Sequence, residues 1–206
     1  AAQCGEAAAR IHATDVTRLP PLQTYGAAEQ VSLYRQIFER FGELLPTFDL
    51  TVRWLERHLP APVEPTLVHG DFRHGNIIVD RDGLAAVLDW ELPHLGDPME
   101  DLGWICVKSW RFGGRLPVGG FGRREQMFAA YEKASGRQVD AARVHFWELF
   151  GTMKWGCMCL MLGFTHLLGQ SRSVELAAIG RRVSETEYDL LNLLEQDVFR
   201  PNRPES

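Results

Sequence analysis

Apolar residues recur every three to four positions along most of the chain, a spacing that is typical of amphipathic helices. Pro46 is expected to end the second of the predicted helices, and Thr47 or Asp49 to cap the third. Asp97, as N-cap, and Pro98 are expected to begin the fourth. The pattern predicts helices over residues 6–13, 27–45, 50–59, 99–109, 123–135, 141–168 and 174–194.

The middle of the chain has a different pattern, with short apolar runs over residues 66–68, 77–79 and 84–88. Asp and Gly residues between the last two runs favour a tight turn, so these runs predict a β-hairpin. Residues 93–98 are predicted to form a loop, and residues 111–122, rich in Gly and Pro, a mobile loop. The sequence therefore predicts an α+β fold that is mainly helical.

Polar residues follow these short runs: His69, Asp71 and Asn76 come after the first, and Asp89 after the last. The spacing His-x-Asp-x-x-x-x-Asn matches the catalytic loop of protein kinases, and an Asp after the next strand matches their metal-binding Asp. Phosphoryl transfer needs a carboxylate that accepts the proton of the attacking hydroxyl, and oxygen ligands that hold Mg²⁺ on the phosphates of ATP. We therefore predict Asp71 as the catalytic base, and Asn76 and Asp89 as the ligands of Mg²⁺ and ATP.

Other residues of this loop leave alternatives open. Arg73 either stabilises charge on the transferring phosphoryl group or pairs with a nearby carboxylate. His69 is expected to anchor the loop, and His74 to lie on the surface. A metal site made by His69, Asp71 and His74 is disfavoured, because residues this close on one loop rarely point at a common ion. Glu91 either assists the metal or faces the substrate.

Two segments, HGDFRHGN and VLDWELPHLGDPMEDLGW, resemble the aminoglycoside phosphotransferase-like kinases, a group that includes choline kinase-like enzymes. Gly70 in place of the protein-kinase Arg, and Asp-Trp-Glu in place of Asp-Phe-Gly, distinguish the chain from protein kinases. The branch that looks nearest is the phosphotransferase domain related to kinases fused to acyl-CoA dehydrogenases. The resemblance implies a kinase-like C-terminal lobe, a helical bundle whose hairpin carries the catalytic loop. It also identifies Asp101 as a buried support that accepts backbone hydrogen bonds from that loop.

A complete kinase of this type also has an N-terminal lobe, with a Gly-rich turn over the phosphates and a Lys paired with a Glu. Residues 1–65 are predicted to be helical and contain no lysine, so we expect this lobe to be missing. We expect a single domain, the C-terminal lobe, which is inactive without its partner lobe. Its parts are a helical lead-in (1–65), the catalytic loop and metal-binding hairpin (66–91), a helical remainder (92–200) and a frayed tail (201–206).

The net charge of −5 argues against nucleic-acid binding through phosphate contacts. Residues 149–168 are long and apolar, but Lys154 and His166 interrupt them, so a buried helix is expected rather than a membrane span. Most tryptophans are expected to pack in the core. The polar residues His94, Asp97 and Glu100 are expected at the solvated surface.

The cysteines lack the spacing of a zinc site and are expected to be buried thiols in a reducing cytoplasm. They are Cys4, Cys106, Cys157 and Cys159.

The sequence favours a kinase that uses ATP and Mg²⁺ to phosphorylate a hydroxyl group of a small molecule. The family resemblance permits aminoglycosides, choline-like or sugar alcohols, and hydroxyacyl thioesters as acceptors. A second hypothesis is a catalytically silent kinase-like binding module that lacks the nucleotide lobe. A third and weaker one is a metal-dependent hydrolase that uses the His69 loop and needs no nucleotide.

Overall fold

The computed structural model describes residues 1–43 and 45–199. Its strands form two antiparallel pairs, β1 with β4 and β2 with β3. The predicted mainly helical α+β fold is confirmed. The helices are α1 (Ala2–His12), α2 (Ala27–Glu39), α3 (Pro46–Arg57), α4 (Met99–Trp104), α5 (Arg124–Ser135), α6 (Ala141–Leu167), α7 (Val174–Gly180) and α8 (Val183–Phe199). The strands are β1 (Thr66–Val68), β2 (Ile77–Asp80), β3 (Gly83–Val87) and β4 (His94–Gly96).

The core forms around α6, a helix of 27 residues. Its side chains Trp147, Phe150 and Met153 are each at most 1% exposed. Helix α4 crosses α6 at Gly103, where a Cβ atom would lie 2.6 Å from the Cβ of Trp147. This close approach fixes α4 against the core. Within the described residues, no helix combines the length and apolar character that crossing a membrane requires.

The structure corrects the boundary between α2 and α3. Helix α2 ends at Glu39, earlier than predicted, and Gly42 then adopts a φ of +66°, which a right-handed helix does not contain. Helix α3 begins at Pro46, where the missing N–H of proline leaves no helical hydrogen bond unmade. The expectation that Thr47 or Asp49 caps α3 is therefore wrong, because both lie inside the helix.

Helix α4 is also shorter than predicted, since it ends at Trp104. Residues 111–122 form the expected loop, but its centre is packed against the protein. Val118 is fully buried, and the N–H of Gly119 donates to the carbonyl of Ile105 at 3.1 Å. These contacts hold the middle of the segment in place, whereas the sequence predicts a mobile loop.

Two further differences concern the helix predicted over residues 174–194 and the loop predicted over residues 93–98. The predicted helix over residues 174–194 is two helices, and a Cβ atom on Gly180, the last residue of the first, would lie 2.6 Å from the Cα of Gly163 in α6. The predicted loop 93–98 contains β4, in which Gly96 pairs with Thr66 of β1. A strand of three residues carries too little periodicity to be recognised. The predicted frayed tail from Pro201 lies outside the described residues.

Candidate active site

The loop between β1 and β2, residues 69–76, is held by Asp101 of α4, which binds its backbone. Asp101 is fully buried, and its carboxylate accepts hydrogen bonds from the N–H groups of His69 at 2.8 Å and Gly70 at 3.0 Å. Burial alone would raise the pKa of Asp101, but hydrogen bonds from His12 and His69 outweigh burial and lower it. An ionised carboxylate therefore fixes the backbone of this loop.

His12 is a support residue that the sequence did not reveal. Its Nε2 atom lies 3.1 Å from Asp101 Oδ2, and its Nδ1 atom lies 3.0 Å from the hydroxyl of Tyr131. The side chain is buried where α1 packs on α5. A single histidine at the end of an Ala-rich helix gives no signal of this role, because both partners lie far away in sequence.

His69 connects the loop to the end of β3. Its Nε2 lies 3.0 Å from the carbonyl of Leu88, and its Nδ1 lies 3.2 Å from the backbone N–H of Asp71. Because a carbonyl only accepts and an N–H only donates, the imidazole is neutral with its proton on Nε2. Both ring nitrogens are thus engaged in holding backbone, which leaves neither available to a metal.

Gly70 is required by its surroundings. Its φ is +78°, and a Cβ atom at this position would lie 2.3 Å from the carbonyl oxygen of Leu92. Both features exclude a larger residue without movement of the backbone. The glycine that separates this sequence from protein kinases therefore has a local structural cause.

The carboxylate of Asp71 is held by three donors. Arg73 Nε lies 3.0 Å and 3.1 Å from its two oxygens. Asn76 Nδ2 donates to Oδ2 at 2.7 Å, and the indole N–H of Trp104 donates to Oδ1 at 2.8 Å. The Asp71 side chain retains 15% of its exposure, so it faces solvent from a fixed position.

Asn76 and Asp89 flank the β2–β3 hairpin, and the N–H of Leu88, the residue before Asp89, donates to the carbonyl of Asn76 at 2.8 Å. The Asn76 amide nitrogen donates to both the carbonyl and the carboxylate of Asp71, which assigns its orientation. Within the described part of the chain, the Asn76 amide oxygen accepts no hydrogen bond.

Asp89 has an unusual backbone conformation. Its φ is +68°, a conformation that side-chain-bearing residues seldom adopt and that concentrates at active sites. The side chain is exposed, and among the described residues nothing pairs with its carboxylate. Carboxylate and amide oxygens without a protein partner are the kinds of ligand that suit Mg²⁺.

The remaining loop residues, His74 and Arg73, contact aromatic rings and form no metal site with other described residues. The ring of His74 contacts Phe112 and Phe121, with centroids 5.4 Å and 5.1 Å away. The guanidinium of Arg73 lies 5.0 Å from the ring of Trp110. No group of three His, Cys, Asp or Glu side chains in the described residues is arranged to hold a metal.

The prediction that His94, Asp97 and Glu100 lie at the solvated surface is wrong, since all three are buried. Asp97 accepts hydrogen bonds from the N–H of Met99 and from the indole of Trp147, both at 2.9 Å. It thereby caps the first turn of α4. Partners distant in sequence make burial of these polar groups possible.

Glu100 is the centre of a buried charged cluster. His94 Nε2 lies 3.2 Å and Gln30 Nε2 lies 2.6 Å from Glu100 Oε2. Lys154 Nζ lies 3.6 Å from Glu100 Oε1 and 3.4 Å from the carbonyl oxygen of Gly70. The cluster therefore connects β4, α2, α4 and α6 to the loop of residues 69–76.

A separate cleft of about 680 Å³ lies beside the turn between α7 and α8. Its lining includes Lys108, Phe112, Arg182 and Tyr188, but not Asp71 or the two predicted metal ligands. This cleft is therefore distinct from the position of the predicted catalytic residues.

Comparison with known proteins identifies relatives that carry this segment within much longer chains. Acyl-CoA dehydrogenase family member 10 of Mus musculus is 45% identical over 65 residues, which cover 31% of this chain and 6% of that protein. Acyl-CoA dehydrogenase family member 11 of Gallus gallus is 35% identical over 108 residues, 48% of this chain and 14% of that protein. The matched part is a small fraction of each relative.

Solved structures share the fold. A Ralstonia eutropha protein assigned as an aminoglycoside phosphotransferase has a TM-score of 0.76 at 22% identity, over 94% of this chain and 64% of that chain. Spectinomycin phosphotransferase, solved with ADP and spectinomycin, has a TM-score of 0.60 at 15% identity, over 94% and 65% of the two chains. A model of the phosphotransferase enzyme family, APH, matches residues 1–147. With most of its length matched, the chain belongs to this phosphotransferase family, and the resemblance noted in its sequence is confirmed.

Proposed function

We propose that this chain provides the catalytic floor of a kinase that uses ATP and Mg²⁺ to phosphorylate a hydroxyl group of a small molecule. One observation carries the proposal: three donors fix the Asp71 carboxylate beside the Asn76 amide oxygen, which accepts no hydrogen bond from the described residues. Fixed donors and free oxygens side by side are what phosphoryl transfer needs. The solved spectinomycin enzyme supports the use of ATP, since it holds ADP.

Asn76 and Asp89 are the proposed ligands of Mg²⁺. Two protein oxygens suffice, because waters and phosphate oxygens supply the remaining ligands of this ion. When bound there, Mg²⁺ would neutralise charge on the phosphate oxygens of ATP. The hydrogen bonds from the Asn76 amide nitrogen to Asp71 fix the orientation of the amide, and we propose that the exposed carboxylate of Asp89 binds the same ion as the Asn76 oxygen.

Asp71 is the proposed base, and Arg73 has two successive partners. The single Nε–H of Arg73 is shared between both oxygens of Asp71, so each contact is weaker than a directed hydrogen bond. An acceptor hydroxyl that approaches Asp71 displaces Arg73, which is then free to contact the transferring phosphoryl group. The two interpretations of Arg73 thus describe two states of one side chain.

The nucleotide site needs a second lobe. The hairpin and the residues after it expose large apolar side chains, with Val79 at 69%, Leu88 at 46% and Trp90 at 45%. We infer that an N-terminal lobe with the phosphate-covering turn packs on this face, and that the chain alone is inactive. We further infer that the protein is cytoplasmic, because its four cysteines are buried free thiols.

The experiment uses the full-length protein that carries this chain, incubated with ATP, Mg²⁺ and a library of hydroxyl compounds. Mass spectrometry should detect the mass gain of one phosphoryl group on an acceptor. Asp71→Asn should lower turnover by about 10²–10⁴-fold, the contribution of general base catalysis. Asp82→Asn, at the exposed turn of the same hairpin, is the matched control and should leave turnover unchanged.

The outcomes separate the hypotheses. Transfer that survives Asp71→Asn would refute the assigned base. Product formed without nucleotide would favour the hydrolase hypothesis. Binding of ATP without transfer to any acceptor would favour the silent binding module.

A further inference from the structure

Trp104 contacts the same catalytic side chain that the sequence identified, from a direction that the sequence does not show. Its indole Nε1 lies 2.8 Å from Asp71 Oδ1, and the side chain is buried at 3% exposure. Asp101 lies three residues earlier on α4, so both side chains lie on the face of the helix toward the loop. Asp101 holds the loop backbone, and Trp104 holds the carboxylate of Asp71.

Lys154 lies behind the indole ring. Its Nζ atom is 4.9 Å from the centroid of the Trp104 ring, and the side chain is 6% exposed. A cation over an indole face is attracted to the ring, and this attraction is strongest where water is excluded. The ammonium group is not free to leave, because Glu100 and the carbonyl of Gly70 hold it from α4 and from the loop.

The groups that face Lys154 come from several elements. Tyr34 of α2 lies 5.9 Å from Nζ, and His94 of β4 acts through Glu100. Glu100 is the carboxylate in direct contact, and its Oε1 has no hydrogen-bond partner within the described residues. The negative charge of this buried oxygen attracts the Lys154 ammonium and keeps it in place against the indole ring.

We propose that Trp104 is a positioning residue for Asp71 and that Lys154 fixes the orientation of its indole. This inference rests on the proposed function of Asp71 as base. The Trp104 N–H occupies Oδ1 and Asn76 occupies Oδ2, so the carboxylate cannot rotate about its χ2 angle. The acceptor hydroxyl then meets a base whose direction is already set, and positioning of this kind affects turnover more than binding.

Trp104→Phe tests the proposal, because it keeps a buried ring and removes the N–H. Trp155→Phe is the matched control, since the buried indole nitrogen of Trp155 has no partner within the described residues. In the full-length kinase, Trp104→Phe should lower kcat about 10-fold and leave KM for ATP and acceptor within about 2-fold. Trp155→Phe should leave both constants unchanged. A kcat for Trp104→Phe equal to that of the control would overturn the proposal.

The role of Lys154 needs a separate variant, because an uncompensated buried carboxylate could unfold the protein. Lys154→Met combined with Glu100→Gln removes both charges of the pair. This double variant should lower kcat, as Trp104→Phe does. The separate variant Lys154→Arg should keep most of the wild-type kcat. A double variant that is folded by circular dichroism and fully active would remove Lys154 from the proposal.

A spectroscopic measurement distinguishes this inference from the proposed function. The indole ¹H–¹⁵N resonance of Trp104 is identified by its loss in Trp104→Phe. In Asp71→Asn that resonance should move upfield, because its hydrogen bond to a charged acceptor becomes one to a neutral amide. A resonance that does not move shows that the contact is absent, even where Asp71→Asn is inactive. A resonance that moves in a protein without kinase activity shows the reverse: the contact is correct and the proposed function is not.

Discussion

Asp101→Asn is the substitution whose effect follows most directly from the geometry. The wild-type carboxylate accepts hydrogen bonds from three donors: the N–H groups of His69 and Gly70, and Nε2 of His12. An amide of the same shape offers one oxygen and one NH₂ group. The NH₂ group must face at least one of these donors, and a buried donor is then left without an acceptor.

The magnitude comes from that count. One buried donor without a partner costs about 1–3 kcal/mol, and hydrogen bonds to a charged acceptor are about twice as strong as those to a neutral one. Because Asp101 is fully buried, solvent does not weaken these terms. We expect Asp101→Asn to lower the free energy of unfolding by about 2–4 kcal/mol near neutral pH.

The pH dependence has a defined sign. The pKa of Asp101 is lowered below its ordinary value of 3.8, since the hydrogen bonds from His12 and His69 outweigh the effect of burial. A group with a lowered folded pKa contributes stability above its unfolded pKa and loses it as the pH falls through the folded pKa. The difference between wild type and Asp101→Asn should therefore shrink at pH values below 3.8.

Urea unfolding followed by tryptophan fluorescence measures both effects, at about pH 7 and at about pH 3. Asp82→Asn removes a carboxylate that is 84% exposed and serves as the control. It should change the free energy of unfolding by less than about 0.5 kcal/mol. A loss no larger than that of the control, or an equal loss at both pH values, would refute the proposed hydrogen bonding of Asp101.

Three further predictions concern other parts of the site. His94→Gln should destabilise the protein most between pH 4.5 and 6.5. Burial alone would lower the pKa of His94, but Glu100 raises this pKa above 6.5, and the pKa of Glu100 itself falls below 4.5. Urea unfolding should show a loss of about 1.5–3 kcal/mol there and a smaller one as the pH rises through the folded pKa of His94; a loss independent of pH would contradict the pairing. Gly70→Ala should cost about 1–3 kcal/mol through its positive φ and the carbonyl of Leu92, and unchanged thermal unfolding would count against this account. Asp89→Asn should raise the Mg²⁺ concentration for half-maximal phosphotransfer by at least about 10-fold, and an unaltered Mg²⁺ requirement would exclude Asp89 as a ligand.

Much of the architecture was predictable because it is encoded locally. The period of the apolar residues in α6 and the turn between β2 and β3 both lie within short windows of sequence. The boundaries failed where one residue decided the outcome. Pro46 can end one helix or begin the next, and the pattern on either side does not distinguish these choices.

The support of the site was less predictable, because its partners are distant in sequence. Gln30 and Glu100 are 70 residues apart, and Trp104 and Asp71 are 33 residues apart. A surface location is the correct default for an acidic residue that has no visible partner. Only the fold supplies the partners that make burial of Glu100 tolerable.

Several buried charges of this protein lie where one short helix meets the loop of residues 69–76. Helix α4 has six residues, too few to be stable by itself, so its position depends on the packing of Gly103 against α6. Yet Asp101 and Trp104 on this helix fix, respectively, the backbone of the loop and the side chain of Asp71. Paired polar groups are directional and apolar contacts are not, so hydrogen bonds to α4 can specify one loop conformation where packing alone would allow several. The long helix α6 holds α4 rigidly in place, and the buried polar groups of α4 in turn fix the orientation of one carboxylate, that of Asp71.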